Sequence, residues 1–324
     1  MILYIKNLND KLSMNNLKPL IKWVGGKTQI LNDILNKFPS TINNYYEPFL
    51  GGGSVLLGFL SYVKSEKIKI NGSIYAYDVN DMLIYLYKHI QSNHNELYNE
   101  INTLKTQYNN CKNETINRNP KNLGEAILNK ESFYYWIRKC YNSISGDDKK
   151  NVKCSAMLVF LNKTCFRGLY RVGPNGFNVP YGNYKNPEII NKEHLDVMND
   201  LIKNVNFIVS DFKLVFANQH FENDDFIYMD PPHVPVNDKS FVKYNKDGFN
   251  EGEHLRLFDI CNKMTIKFMM SNADVELVRK NFQPTKYNLT SILCKRTINS
   301  KSPDAKTNEL IISNYSFIEL ILTK

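Results

Sequence analysis

The residues best suited to catalysis form the sequence Asp230-Pro231-Pro232-His233. This sequence follows the apolar run Phe226-Ile227-Tyr228-Met229. That run predicts a buried strand that ends at the aspartate. Two prolines fix φ and donate no N–H, so the chain leaving the strand is stiff and its carbonyl groups remain free to accept from a ligand. The Asp230 carboxylate and the Pro231 carbonyl would together accept the two hydrogens of an amino group. A strand that merely ends in a proline turn would have the same sequence, so other features must decide.

A second set of residues, upstream, is typical of a nucleotide-type cofactor site. The stretch 45–55 predicts a short strand that runs into the turn Gly51-Gly52-Gly53, and the apolar stretch 55–60 predicts a helix. Glycines let the backbone approach a ligand closely, and the first turn of a helix offers unpaired N–H groups. The next predicted strand, 73–77, ends at Asp78. This acid lies about 25 residues beyond the glycines, where dinucleotide-binding folds place a ribose-binding carboxylate.

The composition fits an α/β protein that binds a polyanion. The chain has 324 residues, of which 43% are hydrophobic, and its net charge is +9 with a pI near 9.0. A merely solvated basic surface would give the same charge. The six cysteines show no paired short spacing, so we expect reduced thiols rather than zinc ligands or disulfides. No apolar stretch is long enough to span a membrane, and no secretory signal is evident, so we expect an intracellular protein.

Further stretches combine glycines, aromatic residues and charges in a fixed order along the chain. They are Lys22-Trp23-Val24-Gly25-Gly26-Lys27, Glu47-Pro48-Phe49-Leu50-Gly51-Gly52-Gly53, Asp78-Val79-Asn80, Phe133-Tyr134-Tyr135-Trp136-Ile137-Arg138, Tyr141-Asn142, Leu161-Asn162-Lys163-Thr164-Cys165-Phe166-Arg167-Gly168-Leu169-Tyr170-Arg171, Phe177-Asn178-Val179-Pro180-Tyr181-Gly182 and Asn308-Glu309-Leu310-Ile311-Ile312-Ser313-Asn314-Tyr315. Together with Asp230-Pro231-Pro232-His233 they resemble the Dam-type DNA adenine N6-methyltransferases, which use S-adenosyl-L-methionine. The matches run from about Pro19 to Tyr315. This order along nearly the whole chain makes coincidence a poor explanation.

The resemblance implies an α/β fold, a doubly wound Rossmann-like methyltransferase sheet with an inserted, mainly helical target-recognition lobe. We expect an N-terminal tail at 1–17, a cofactor-binding catalytic domain formed by 18–92 and 196–324, and the DNA-binding lobe at 93–195. The cofactor and catalytic loops would lie at the carboxyl ends of the strands, where open α/β sheets bind ligands. The partner would be double-stranded DNA, with no membrane, no metal, and a monomer or weak dimer as the assembly.

The resemblance also assigns cofactor roles position by position. Trp23 and Lys27 would hold S-adenosylmethionine, the backbone from Phe49 to Gly53 would line it, and Asp78 would accept the ribose hydroxyls. Asp211 would lie beside the cofactor adenine, although it could equally be an ordinary acidic strand end. The cofactor set is Trp23, Lys27, Phe49, Gly51, Gly53, Asp78, Asp211 and Asp230, and the catalytic set is Asp230, Pro231, Pro232 and His233.

The segment Arg167-Gly168-Leu169-Tyr170-Arg171 is the candidate for reading target DNA. Arginine suits the paired acceptors of guanine in the major groove, and Arg171 occupies the place of the family's base-reading arginine. Leu169 and Pro180 resemble neighbouring contacts, whereas Arg167 replaces the asparagine common at its place and could change the base preference. The other basic candidates, for phosphates or only for water, are Lys295, Arg296, Lys163, Lys185 and Lys301.

His233 stands where the family has a tyrosine whose ring stacks on the flipped adenine. Imidazole is also flat, but it covers less area and can be protonated near neutral pH. Stacking of a base on an aromatic ring contributes roughly 1–3 kcal/mol. Losing part of that energy would slow the reaction about tenfold, so we expect a weakened or retuned enzyme rather than a dead one.

Three functions remain open. The leading one is a site-specific DNA adenine N6-methyltransferase that acts on a flipped-out adenine, in GATC by resemblance. The second is a catalytically weakened or silent DNA-binding relative. The third, an amine methyltransferase for RNA or protein glutamine, is disfavoured by the Arg171 segment. Any of these would work inside a cell, in the cytoplasm of a prokaryote or otherwise wherever the target DNA is.

Overall fold

The computed structural model describes residues 17–235, 248–295 and 306–316. These residues form two compact units. The first, called here the helical unit, contains the described residues up to Gly26, Gly51–Leu57 and Asn80–Lys203. The second, the sheet unit, contains Lys27–Leu50, Gly58–Val79 and the described residues from Asn204 onward. The predicted lobe at 93–195 falls inside the helical unit, and its role as a separate recognition domain stays a prediction.

Short elements alternate along the described chain. The strands are β1 (Thr41–Ile42), β2 (Tyr45–Glu47), β3 (Lys69–Ile70), β4 (Ile74–Asp78), β5 (Val172–Gly173), β6 (Gly176–Phe177), β7 (Val205–Val209), β8 (Phe226–Met229), β9 (Lys267–Ala273), β10 (Asn288–Lys295) and β11 (Lys306–Ser313). The α-helices are α1 (Leu31–Leu35), α2 (Ser54–Lys64), α3 (Asp81–Ser92), α4 (His94–Asn109), α5 (Leu123–Ala126), α6 (Lys130–Ser143), α7 (Val152–Thr164), α8 (Lys192–Leu201), α9 (Phe212–Asn218), α10 (Glu251–Lys263) and α11 (Glu276–Asn281).

The main sheet of the sheet unit has the strand order β10-β11-β9-β8-β2-β4-β7. Strands β9, β8, β2, β4 and β7 are parallel, and β11 and β10 join antiparallel at one edge. The order reverses at β2, because β4 pairs with it on one side and β8 on the other. Open parallel sheets bind ligands beyond the carboxyl ends of the strands at such a switch point. The predicted doubly wound α/β sheet is confirmed.

Apolar strands hold this sheet in the interior. All four residues of β8 are buried, and six of the seven residues of β9 are buried too. A parallel strand covered on both faces needs such a nearly continuous apolar sequence. Strands β8, β9 and β11 contribute these residues to the core: Ile227, Met229, Phe268, Met270, Leu310 and Ile312. The strand ends are therefore fixed in position by burial, and so are the polar residues that follow them.

The helical unit is organised by asparagine caps and by one buried helix. Asparagine side chains accept from the first-turn N–H groups of α3, α5, α6, α7 and α8, a position that asparagine favours because it satisfies an otherwise orphaned donor. Helix α7 is buried on most of its surface. It leads into a 3-10 turn at Phe166–Gly168 and then into the antiparallel pair β5 and β6.

Within the described ranges, none of the helices has the length and apolar character needed to cross a membrane.

The six cysteines are free thiols, and four of them are buried.

Candidate active site

The carboxyl edge of the sheet carries most of the predicted site residues of the sheet unit. Asp230 follows β8, Asp78 ends β4, and Phe49 and Asp211 lie just beyond β2 and β7. Because these four strands are parallel neighbours, their carboxyl ends meet at one edge. The sequence alone predicted each residue at a strand end, and the sheet order brings the ends together.

A buried ion-pair network surrounds the predicted catalytic carboxylate. The Nζ atom of Lys27 lies 2.7 Å from Oδ1 of Asp230 and 3.0 Å from Oε1 of Glu309. Lys27 is only 3% exposed, and the side chains of Asp230 and Glu309 are 20% and 10% exposed. Oε1 of Glu309 makes no well-aligned hydrogen bond within the described residues, so its contact with Lys27 depends on charge. We call Lys27, Asp230, Glu309 and the adjacent His233 the Lys27 cluster.

The two acids change the protonation of their partner, and the lysine changes that of Asp230. Burial by itself would lower the pKa of Lys27, but the charges of Asp230 and Glu309 outweigh it and raise that pKa above its ordinary value. Burial alone would raise the pKa of Asp230, but the Lys27 ammonium and the His233 ring hold that pKa below its usual range. Asp230 is therefore a carboxylate at neutral pH, and Lys27 is an ammonium.

His233 completes the cluster. Its Nε2 atom lies 3.4 Å from the Lys27 ammonium, 3.6 Å from Asp230 and 3.7 Å from Glu309, with one third of the side chain exposed. Asp230, His233 and Glu309 also belong to the residue types that bind metals, and their ligand atoms lie within 4.8 Å of one another. The ammonium of Lys27 already lies against both carboxylates, so we interpret the cluster as an ion-pair network.

Residues of β8 and β9 hold the chain on both sides of Asp230. The N–H of Val234 donates to Oδ1 of the fully buried Asn272 over 3.1 Å. The Tyr228 hydroxyl lies 2.7 Å from the Ser271 hydroxyl. Because β8 and β9 are also paired in parallel register, the segment from Tyr228 to Val234 is fixed to its neighbour.

Aromatic and apolar groups lie at the same edge as the acids. The rings of Phe49, Phe212 and Phe249 have centroids 5.5, 5.8 and 5.4 Å apart in pairs. Val79 and Val209, at the ends of β4 and β7, expose 72% and 41% of their surface. Apolar surface beside carboxylates suits a flat heterocycle attached to a sugar.

Asp211 also has a structural role. Its side chain accepts from the N–H of Lys213 over 2.9 Å and so caps α9. Capping a helix N-terminus satisfies a donor that would otherwise be orphaned. This geometry supports the alternative of an acidic strand end, and the second carboxylate oxygen, Oδ2, lies 3.7 Å from the Lys213 ammonium.

In the helical unit, the glycine turn is shaped by Trp23. Gly51 and Gly53 have φ of +51° and +72°, which residues with a Cβ adopt only at a cost. A Cβ on Gly52 would lie 2.7 Å from the Cβ of Trp23, so the turn needs glycine for this close approach. The indole also stacks on Tyr170, with ring centroids 4.9 Å apart. Trp23 thus connects the glycine turn to the predicted DNA-reading segment.

Hydrogen bonds fix that segment at both ends. The amide of Asn162 donates to the carbonyl groups of Gly168 and Lys22 over 3.0 and 2.9 Å, and its oxygen accepts from the N–H of Lys22 over 2.8 Å. Nε of Arg171 donates to Oδ1 of Asn178 over 2.6 Å, and Nη2 donates to the carbonyl of the same residue over 3.2 Å. The exposed guanidinium of Arg171 is therefore oriented by its hairpin neighbour.

Arg167, Leu169 and Pro180, which are also predicted DNA contacts, lie in the same part of the helical unit. Arg167 is exposed and has φ of +59°. The N–H of Phe166 donates to the carbonyl of Pro180 over 2.8 Å, which ties the two predicted contact segments together. Leu169 is half-buried. Arg296 lies outside the described residues, as does the side chain of Lys295.

The predicted site residues fall into two groups, one in each unit. The sheet unit holds Lys27, Phe49, Asp78, Asp211, Asp230, Pro231, Pro232 and His233, and the helical unit holds Trp23, Gly51, Gly53, Arg167, Leu169, Arg171 and Pro180. Sequence reasoning assigned no role to Glu309, Asn272, Asn178 or Phe249. A charged residue directly before the apolar run Leu310-Ile311-Ile312 was the available signal for Glu309.

Comparisons with known proteins agree with this geometry. The chain matches the family described as D12 class N6 adenine-specific DNA methyltransferase over residues 23–298. The type II methyltransferase M.MjaIII of Methanocaldococcus jannaschii is 35% identical over 312 residues, which cover 92% of this chain and 99% of that protein. M1.LlaDCHI of Lactococcus lactis subsp. cremoris is 29% identical, with 93% and 96% covered. A DNA adenine methylase of Vibrio cholerae is 28% identical, with 92% and 96% covered.

A doubly wound sheet with acids at successive carboxyl ends is the arrangement of an enzyme that binds a nucleoside-containing cofactor. The chain belongs to the D12 class of N6 adenine-specific DNA methyltransferases, since the family match spans most of its length. The resemblance to the Dam-type enzymes is thereby confirmed.

Proposed function

We propose that this protein transfers the methyl group of S-adenosyl-L-methionine to N6 of a flipped-out adenine in double-stranded DNA. The observation that carries the proposal is the Asp230 carboxylate, held ionised by Lys27 at the carboxyl end of β8 in a chain of this family. Flipping is part of the proposal because a stacked and paired amino group cannot enter a cleft at a strand end.

The chemistry rests on two acceptors and on position. An aromatic amine is a poor nucleophile because its lone pair is delocalised into the ring. The Asp230 carboxylate and the Pro231 carbonyl accept its two hydrogens and favour a more tetrahedral nitrogen, whose lone pair can attack. Fixed dipoles and orientation of this kind lower the barrier without a covalent intermediate. Pro232 stiffens the loop, and His233 stacks on the base.

The residues at the sheet edge fit the cofactor, which supplies an electrophilic methyl group when bound. The carboxylate of Asp78 accepts from the ribose hydroxyls, and the apolar groups of Phe49, Val79 and Val209 contact the adenine. Asp211 lies beside that ring, and its Oδ2 atom also faces the Lys213 ammonium. Trp23 and the Gly51–Gly53 turn of the helical unit contribute close backbone approach. Lys27 of the sheet unit acts through the Lys27 cluster.

Target recognition is assigned to the Arg167–Arg171 segment. Arg171 donates to O6 and N7 of a guanine in the major groove. Its hydrogen bonds to Asn178 orient the guanidinium group. Leu169 and Pro180 contact neighbouring bases, Arg167 adjusts the preference, and Lys295 and Arg296 meet phosphates. We propose GATC as the recognition sequence on the strength of the Dam-type resemblance. The lobe at 93–195 is the proposed recognition domain.

A methylation assay tests the proposal. Duplexes with and without GATC are incubated with tritiated S-adenosylmethionine, and the modified base is identified by mass spectrometry. We expect N6-methyladenine in the GATC duplex, and a fall in kcat for Asp230→Asn on the order of a hundredfold to a thousandfold, the usual effect of removing one preorganised transition-state contact. Label in RNA or protein but not in DNA would contradict the substrate, and label in every adenine context would contradict GATC.

One observation favours the weakened or silent relative as second candidate. His233 replaces a tyrosine of the family motif, and its ring nitrogen lies 3.4–3.7 Å from three charged groups, which ties an otherwise stackable ring to the cluster. This candidate predicts sequence-selective DNA binding and cofactor binding without methyl transfer. The assay above, run with a gel-shift arm, separates the two.

A further inference from the structure

We propose that Glu309 is a positioning residue for methyl transfer: it holds the Lys27 ammonium in place so that Asp230 can engage the target amine without giving up its ionised state. The proposal rests on the proposed function. It assigns a role to Glu309, a residue of β11 that would contact neither the target base nor the cofactor.

The burial of Lys27 makes a second counterion necessary. In a single Asp–Lys pair the ammonium lies against one oxygen of the carboxylate, since Nζ is 2.7 Å from Oδ1 of Asp230. A target amine that binds this oxygen would compete with the ammonium for it. With Glu309 at 3.0 Å, the ammonium keeps a carboxylate when Asp230 turns part of its hydrogen-bonding capacity to the substrate. The cluster of one cation and two carboxylates retains a net negative charge with His233 neutral.

The position of Glu309 suits a fixed counterion. It lies within β11, paired with Ala273 of β9 on one side and Ile292 of β10 on the other. A strand residue bonded on both sides moves less than a loop residue, so the ammonium has a stationary partner. Its second carboxylate oxygen is contacted by the thiol of Cys294 at 3.8 Å.

Two other groups beside the Lys27 cluster, the thiol of Cys294 and the hydroxyl of Tyr228, carry no charge that would act on the ammonium. Burial raises the pKa of Cys294 to about 11, and burial raises the pKa of Tyr228 well above its ordinary value. Both are neutral over the working pH range. Among the described residues, His233 is a further titratable neighbour. The charge on Lys27 therefore depends chiefly on the two carboxylates.

The first experiment compares Glu309→Gln, Glu309→Asp and Asp274→Asn as matched changes. Asp274 is a carboxylate on the loop after β9 whose partner is Arg279 rather than Lys27, so it controls for the loss of an acid near the same sheet. We expect Glu309→Gln to lower kcat by about a hundredfold, as misplacement of a reacting group does. Cofactor dissociation constants and the KM for DNA should change less than threefold. Glu309→Asp should restore part of kcat, and Asp274→Asn should leave it within about twofold.

The second experiment measures the ammonium itself. Side-chain ¹⁵N NMR of Lys27, which needs no turnover, should show that Glu309→Gln lowers the pKa of this lysine, because a charge that raises it has been removed. The alkaline limb of kcat should move to lower pH in parallel. In a Lys27→Met background, Glu309→Gln should no longer lower kcat, since its action passes through the lysine and the substitution there removes a charge that repels Asp230.

The outcomes separate the two proposals. A wild-type protein that methylates no DNA refutes the proposed function, and the Lys27 resonance then decides the role of Glu309. An unchanged lysine pKa in Glu309→Gln refutes the positioning role, whatever the activity. So does an equal loss of kcat in the presence and absence of Lys27. Glu309→Gln with lost cofactor binding and lowered thermal stability, unrescued by Glu309→Asp, would show a structural role only.

Discussion

Replacing Lys27 by methionine removes the cation of the cluster while keeping a side chain of similar length. At an effective dielectric constant of about 20, charges 2.7–3.0 Å apart attract by about 5–6 kcal/mol each. The acidic oxygens lie within 4.8 Å of each other, so without the ammonium they repel by about 3.5 kcal/mol or more. One of the two acids must then bind a proton at a pH where both are ionised in the wild type.

Two measurements follow from that repulsion. The acid limb of kcat should rise by roughly 2–3 pH units in Lys27→Met, since each pKa unit corresponds to about 1.36 kcal/mol. The free energy of unfolding should fall by about 3–5 kcal/mol at pH 8, the usual cost of removing one partner of a buried pair. In Lys27→Met, protonation of one acid relieves the repulsion between the two carboxylates. The loss of unfolding free energy caused by this substitution should therefore be smaller at pH 5 than at pH 8.

A surface lysine provides the control. Lys263 pairs with Asp259 on α10 over 2.7 Å, with side chains 74% and 59% exposed, and such i,i+4 pairs contribute only about 0.3–0.5 kcal/mol. Urea unfolding and stopped-flow methylation across pH 5–9 would be measured for Lys27→Met and Lys263→Met side by side. Identical pH profiles and equal unfolding free energies for the two variants would refute the electrostatic reasoning.

The other predictions concern recognition, the glycine turn and the motif departure. Arg171→Ala should lose about 1–3 kcal/mol of discrimination at one guanine, and Asn178→Ala should lose part of that discrimination. Competition binding against a duplex changed at that base pair measures both losses. An equal loss of affinity on all sequences would contradict a base-reading role. Gly52→Ala should weaken S-adenosylmethionine binding by about tenfold in calorimetry, because the new Cβ meets Trp23 at 2.7 Å and displaces it; unchanged affinity would place the cofactor elsewhere. His233→Tyr should keep or raise kcat if the ring only stacks, and a large fall would show that the pocket has adapted to histidine.

The fold followed from local sequence pattern wherever burial was continuous. The apolar run before Asp230 is β8, and the strand predicted at 73–77 is β4 at Ile74–Asp78. The helix predicted at 55–60 lies within α2. In each case hydrophobic side chains that must leave water dictate the element, and the polar residue at its end is where the chain leaves the core.

The charge network could not be read in the same way. Lys27, Asp230 and Glu309 lie far apart in the sequence. Asp230 and Glu309 come together because β8, β9 and β11 are neighbours in the sheet, and Lys27 meets them from the 3-10 turn Lys27–Gln29. A strand order of this kind depends on tertiary packing, which single-strand patterns do not encode. The sequence assigned Lys27 to the cofactor from its place after Gly25-Gly26, whereas its nearest charged partners are the two acids.

The network gives the departure at His233 a physical meaning. Attack by the amine builds positive charge on its nitrogen, and a cluster of net charge −1 stabilises that charge where a neutral cluster would not. A tyrosine at this position leaves the net charge of the cluster at −1 at neutral pH, whereas a histidine can add a positive charge when it binds a proton. Its Nε2 atom lies 3.4 Å from the Lys27 ammonium and 3.6–3.7 Å from the carboxylates of Asp230 and Glu309. Substituting histidine for tyrosine thus places a basic ring nitrogen inside the charge network on which the ionised state of Asp230 depends.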